Sequence, residues 1–166
     1  GFLTPNAGTV TMQSENILGL SQQKLRDKGV ALIPEDRMLY GIAGSASIEE
    51  NLISDRSAEK RLNHGPLFNM KAIHDEADKL IEDYAVLCKS RKQQVGMLSG
   101  GNIQKVLLGR EIWLAPKVLI TAYPVRGLDI GASYNIYRVL NEQKKKGVAV
   151  LFIGEDLDVL KSISDR

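Results

Sequence analysis

Three short apolar runs fix the class of fold before anything else is read. Val30-Ala31-Leu32-Ile33, Val118-Leu119-Ile120 and Val148-Ala149-Val150-Leu151-Phe152-Ile153 each have the length of a strand, and none alternates polar with apolar residues. A strand with one wet face alternates, whereas a continuous apolar run suits a parallel sheet covered by helices on both faces. Helical patterns lie between and after the runs. Ser21 is placed to cap a short helix ending near Gly29, and Ser47 with Glu50 has capping-box spacing ahead of Asn51-Leu52. Asn69 opens a longer helix with Met70, Ile73, Ala77, Leu80, Ile81 and Tyr84 along one face. A helix after Gly101 runs to about Ala115, where Pro116 stops it. Further helices span about Gly131 to Lys146 and start near Asp156. Strands alternating with helices predict an α/β fold.

The organisation is lopsided. From Arg37 to Ala115 the pattern is helix and loop with no convincing strand, which predicts a helical subdomain (37–115) interrupting a sheet core (1–36 and 116–166). Its segment "DRSAEKRLNHGPLF" (55–68) is polar, contains Gly-Pro and reads as a surface loop. A Pro-Asn-Ala-Gly turn leads into an apparent strand, Thr9 to Met12, and both ends of the chain read as cut within a domain.

Composition narrows the classes of function. The 166 residues are enough for one domain with a proper core, and a net charge of +2 with pI about 8.6 is too weakly basic to argue for nucleic acid. The one basic run, Lys144-Lys145-Lys146, precedes Gly147, where cations suit a helix C-terminus. The lone Cys88 excludes an internal disulfide and fits a reducing compartment; His64 and His74 read as surface residues, so no metal site is expected. No apolar run approaches the ~18 residues of a membrane span, and the chain opens on no signal peptide pattern.

"LSGGNIQK", Leu98 to Lys105, stands at the mouth of the helix before the second apolar run. Gly100 and Gly101 lack a Cβ, so a ligand can approach the backbone. The helix N-terminus carries about half a positive charge, and Ser99 adds a hydroxyl donor. Taken alone, such a stretch is more often a plain cap. It does not stand alone. The order "IPEDR" (33–37), "LSGGNIQK" (98–105), "VLITAYPVRGLDIGA" (118–132) and "VLFIGEDLD" (150–158) resembles the ATP-binding domain of ABC transporters. More closely, it resembles the second such domain of tandem importer ATPases for simple sugars and nucleosides.

The resemblance implies a P-loop NTPase-like fold, a parallel sheet core with an inserted helical subdomain. It implies that Leu98, Ser99, Gly100, Gly101, Asn102 and Gln104 form the family signature, which together with Asp129 contacts a nucleotide held by a partner domain. Glu35 occupies the Q-loop position. Ala122 falls where a magnesium-holding Asp belongs, Tyr123 where the catalytic Glu belongs, and Glu155 where the switch His belongs. Ala122 is familiar in such second domains; Tyr123, Val125, Ile103 and Gly154 are less usual. The phosphate loop G-x-x-x-x-G-K-[ST] occurs nowhere in the sequence and is expected just upstream of "GFLTPNAGTV".

A missing general base removes ~10²- to 10⁴-fold in rate, and a missing metal ligand removes more. The domain's own site is therefore expected to be inert and this isolated chain inactive, while the intact transporter uses ATP and Mg²⁺. The implied partners are a first ATP-binding domain in the same polypeptide, permease subunits and, indirectly, an extracytoplasmic substrate-binding lipoprotein; nucleic acid is not among them. The implied location is the cytoplasmic face of the cell membrane. Pro34 to Leu52 is the implied permease contact, with Met38, Leu39, Tyr40 and Ile42 either facing that partner or packing under the helices. The alternative to an importer ATPase is a non-hydrolytic regulatory or binding module of the same fold.

Overall fold

The computed structural model describes residues 6–56 and 59–165. Its centre is a three-stranded parallel sheet in the order β3 (Val30–Ile33), β6 (Val118–Ala122), β7 (Ala149–Ile153). All three come from the three apolar runs, and the register sets Ala31, Leu119 and Val150 in one row and Ile33, Thr121 and Phe152 in the next. That face is covered: Ala31, Ile33, Leu119 and Thr121 are buried. Helix α4 (Gly100–Trp113) packs on β3 and α5 (Ile130–Lys145) on β7.

The expected cover on the other face is not complete. Ala149, Leu151 and Ile153 are exposed there, Leu151 by 55%. The helix on that side, α1 (Gln22–Asp27), is six residues long and packs on β3. A cleft of about 510 Å³ lined by Leu25, Val30, Leu32 and Ile120 opens beside α1 on that face.

Two antiparallel pairs stand apart from this sheet. The apparent strand at Thr9–Met12 shortens to β1 (Thr11–Met12), which pairs with β2 (Glu15–Asn16); Pro5 of the preceding turn lies outside the described residues. The segment expected to be a surface loop, 55–68, contains a hairpin of β4 (Asn63–His64) and β5 (Leu67–Phe68) turning at Gly65-Pro66. It is not all surface. Arg56 is buried, paired to Glu59 at 2.8 Å and to Glu76 at 2.9 Å, with its guanidinium 5.9 Å from the Trp113 ring centre. Ser57 and Ala58 of that segment lie outside the described residues.

The remaining helices follow their caps. Helix α2 (Ile48–Ile53) has a complete capping box: Ser47 Oγ accepts from the Glu50 amide, and the Ser47 amide donates to Glu50 Oε2 at 2.7 Å. That interaction holds the Glu50 carboxyl below its ordinary pKa. Helix α3 (Met70–Asp83) is capped by Asn69 and buries Ile73, Ala77 and Leu80; Met70, placed on the same face by spacing, is exposed at the first turn. Gly109 lets α4 approach α3, since a Cβ there would lie 2.9 Å from Leu80 and 3.2 Å from Tyr84. Helix α6 (Leu157–Ile163) is capped by Asp156. Residues of the sheet, α2, α3 and α4 share one apolar core. Among the described residues no helix is long and apolar enough to cross a membrane.

Candidate functional site

The first turn of α4 departs from an ordinary cap. Ser99 is extended (φ −65°, ψ 155°) and exposed, yet its hydroxyl takes no N–H of its own helix. Instead Ser99 Oγ accepts from Asn102 Nδ2 at 2.8 Å. The first-turn amides, which helix geometry leaves without an intrahelical acceptor, therefore keep their partial positive charge available outward. Asn102 is itself buried, and its Oδ1 accepts from the Leu87 amide at 2.8 Å. Leu98 is buried beneath, while Gln104 is 1% exposed, its side chain turned into the core.

The two glycines serve different neighbours. A Cβ on Gly100 would meet Arg37 Nη2 at 3.1 Å and Leu128 Cδ2 at 3.5 Å, both ends of side chains that can move. A Cβ on Gly101 would meet the Cβ of Ala132 at 3.2 Å, an atom fixed to the α5 backbone. Gly101 thus sets the approach of α4 to α5, a packing role that the sequence pattern did not distinguish from ligand access.

A second group gathers at the C-terminal ends of β6 and β7. Ala122 closes the ladder opposite Ile153, and Tyr123 adopts a left-handed φ of 49° while its amide donates to the Ile153 carbonyl at 2.8 Å. Glu155 lies exposed in the loop that follows β7. Tyr123 and Glu155 line one cleft of about 420 Å³ with Val125, Tyr134, Tyr137 and Phe152. Burial, helped by the charge of Asp156, raises the Tyr137 hydroxyl pKa above its ordinary value. A methyl at Ala122 supplies no oxygen for a magnesium ion. Among the described residues no group of three or more His, Cys, Asp or Glu side chains could hold a metal.

A third group joins the other two. Glu35 is exposed and paired with Arg126. Arg37 Nη1 donates to the Arg126 carbonyl at 3.0 Å, with its other nitrogen over Gly100. Asp36 caps the following turn, accepting from the Met38 and Leu39 amides. In that turn Met38, Leu39 and Tyr40 are exposed while Ile42 is buried, so the two readings of this apolar stretch divide between its residues. Asp129 is exposed and caps α5, accepting from Ala132 N at 2.9 Å. Arg37 and Arg126 were not singled out from the sequence, although both lie inside the quoted motifs. Their meeting across 89 positions is what the fold adds. His74, expected to be solvated, is half-buried with Nε2 3.5 Å from Glu49.

A family model described as "ABC transporter" matches residues 1–124. The chain is 34% identical over its full length to a glucose import ATP-binding protein of Haloferax volcanii, covering 30% of that protein. It is 33% identical over its full length to a guanosine import ATP-binding protein of Bacillus subtilis, covering 32%. Over 96% of the chain it is 35% identical to a ribose import ATP-binding protein of Lactococcus lactis, again covering 32%. The chain thus spans about a third of the length of these relatives. Among solved structures it is similar to a nucleotide-free ATP-binding cassette from an ABC transporter, with TM-score 0.74 and 24% identity over 99% of this chain and 66% of that one. It is also similar to a dimeric post-hydrolysis cassette bound to ADP and Pi, with TM-score 0.72 and 18% identity over 94% of this chain and 66% of that one.

Proposed function

We infer what this chain does from one premise: it belongs to the ABC transporter family, whose model matches residues 1–124. We propose that it is the second ATP-binding domain of an importer ATPase for simple sugars or nucleosides. On this reading its own nucleotide site is degenerate, and its Leu98–Gln104 signature completes the site of a partner domain. The solute class is supported by relatives named as glucose, guanosine and ribose import ATP-binding proteins. The observation that carries the reading is the contrast between two places in one fold. The α4 N-terminus presents an exposed Ser99 hydroxyl and uncapped amides, while the ends of β6 and β7 present Ala122, Tyr123 and Glu155.

Each residue then has a task stated in its own chemistry. The Ser99 hydroxyl and the first-turn amides hold the terminal phosphate of a nucleotide bound by the partner, and Gly100 lets that phosphate reach the backbone. Asp129 fixes the start of α5 beside it. Bound ATP supplies the phosphoanhydride whose hydrolysis drives transport, and Mg²⁺ in that site is held by the partner's residues. Ala122 and Tyr123 offer neither a metal ligand nor a base, so this chain contributes binding and orientation. Residues 1–36 and 116–166 serve as the sheet core and 37–115 as the helical subdomain. The exposed Met38, Leu39 and Tyr40 face permease subunits, and the first ATP-binding domain lies in the same polypeptide. That places the assembly on the cytoplasmic face of the membrane, supplied by an extracytoplasmic substrate-binding lipoprotein.

The test uses the full-length ATPase reconstituted with its permease. Ser99→Arg or Gly100→Asp abolishes steady-state phosphate release, because either puts bulk where the phosphate approaches. Ala122→Asp with Tyr123→Glu leaves release near the parental rate. Melting curves show that all variants stay folded, since Arg37 can move from a new Gly100 side chain. Parental turnover by folded signature variants would overturn the reading.

A further inference from the structure

We propose that Asn102 is a positioning residue for Ser99: its side-chain amide holds the serine oxygen off the helix and turns the hydroxyl proton outward. The proposal rests on the reading that Ser99 meets a partner's phosphate, and it goes beyond that reading by assigning Asn102 a role without nucleotide contact.

The inference starts from a contrast within the molecule. Ser47 and Ser99 both precede a helix, and each has a hydrogen-bonding side chain three residues on. Ser47 Oγ accepts the Glu50 amide N–H, as an N-cap serine ordinarily does. Ser99 Oγ takes no such bond; it accepts from the Asn102 side chain instead. The reason lies one contact further back. An Asn side chain has an acceptor oxygen at one end and an N–H donor at the other. The Leu87 amide is a donor only, and at 2.8 Å it must meet the oxygen. That fixes the orientation of the amide, so the end facing Ser99 is the NH₂.

The consequence for Ser99 follows from counting. A hydroxyl has one proton and two acceptor lone pairs. A donor approaching at 2.8 Å requires the oxygen to accept, so the proton points elsewhere, and Ser99 is an exposed residue. With the oxygen held by Asn102, the first-turn amides are left uncapped. A hydroxyl proton not spent on Asn102 and first-turn amides not spent on a cap are both donors suited to an anionic oxygen. Leu87 is held in turn by its loop, where Lys105 Nζ donates to the Ala85 carbonyl at 2.7 Å. The loop between α3 and α4 therefore sets the direction of a proton at the signature. Asn102, being buried, acts through Ser99.

Asn102→Asp separates this role from simple support. The carboxylate still accepts from the Leu87 amide, so the structural contact survives. Its second oxygen now faces Ser99 as an acceptor, and the hydroxyl proton turns inward. The assay is steady-state phosphate release by the reconstituted full-length ATPase and permease, with kcat and KM for ATP measured for Asn102→Asp, Ser99→Ala and the double variant. Expected is a fall in kcat of about tenfold or more for each single variant. In the Ser99→Ala background, Asn102→Asp changes kcat by less than about twofold, because the group it redirects is gone. If the Asp variant fails to fold, Asn102→Ala replaces it in the same cycle with the same expected coupling. Parental kcat for Asn102→Asp, or full additivity with Ser99→Ala, overturns the proposal, additivity meaning that charge or general support is at work. Parental kcat for Ser99→Ala instead overturns the reading on which it rests.

Discussion

Glu111→Gln keeps the shape of a fully buried side chain and removes its charge. The Glu111 carboxylate is 0% exposed and accepts from both terminal nitrogens of Arg26 at 3.1 Å, and from Arg110 at 2.7 and 3.0 Å. Asp55 stands beside both arginines, 3.2 Å from Arg26 and 3.6 Å from Arg110. Two positive and two negative charges are thus balanced where α1, α4 and the end of α2 meet. Removing one partner of a buried pair costs about 3–5 kcal/mol, because the opposite charge is left uncompensated. Two features of this site lower that figure: Asp55 remains in place, and the Arg26 side chain, 23% exposed, can turn to water. Glutamine also keeps one acceptor oxygen. The expected loss is about 2–3 kcal/mol. Urea unfolding followed by circular dichroism would show it as a lower midpoint with an unchanged slope. Arg110→Met added to Glu111→Gln restores charge balance between Arg26 and Asp55, and the double variant recovers about 1 kcal/mol relative to Glu111→Gln alone. A loss under about 0.5 kcal/mol, or a double variant less stable than Glu111→Gln, would refute the reasoning.

Two further outcomes follow from packing and charge. Hydrogen bonding from Arg56 above all, with Arg61 assisting against the cost of partial burial, pulls the Glu59 carboxyl from 4.5 down to about 2. A lowered acid contributes stability above its unfolded value and loses it as pH falls toward its folded one. Acid titration should therefore show a loss between pH 4.5 and about 2, worth about 1 kcal/mol after solvent screening, that Glu59→Gln removes. Gly101→Ala puts a methyl 3.2 Å from Ala132 Cβ and lowers stability by about 1 kcal/mol despite alanine's better helix propensity. Ala132→Gly in the same chain restores the spacing, and calorimetric melting of the single and double variants checks both statements.

What was legible from the residues was whatever depended on near neighbours. The apolar runs gave the three strands, and Ser21, Ser47, Asn69 and Asp156 marked helix starts because a cap and its amide lie three residues apart or fewer. The hairpin at Asn63–Phe68 escaped because two-residue strands carry no alternation. Arg56 looked like one more charge in a polar loop, since Glu76, the partner that helps bury it, lies twenty positions on in α3. Arg26 with Glu111, and Arg37 with the Arg126 carbonyl, are separated by 85 and 89 positions. Local pattern has no access to such pairs. The bare face at Leu151 was misread for a related reason: a continuous apolar strand says that a face wants cover, not that the described helices reach it.

The end of β6 and the start of α4 differ in what holds them in place. At the end of β6 the structural work is done by the backbone: Ala122 stays in the ladder opposite Ile153, and the Tyr123 amide still meets the Ile153 carbonyl. Side chains there can change without loosening the sheet. At the α4 N-terminus the side chains themselves are tied in. Ser99 is bound to Asn102, Asn102 to Leu87, and Arg37 spans Gly100 and the Arg126 carbonyl beside the exposed Met38–Tyr40 turn. A change at Asn102 or Arg37 therefore disturbs the loops on either side as well as the first turn of α4. Arg37 thus sits between the exposed Met38–Tyr40 turn, the first turn of α4 and the Arg126 carbonyl, so its replacement removes a contact that all three share.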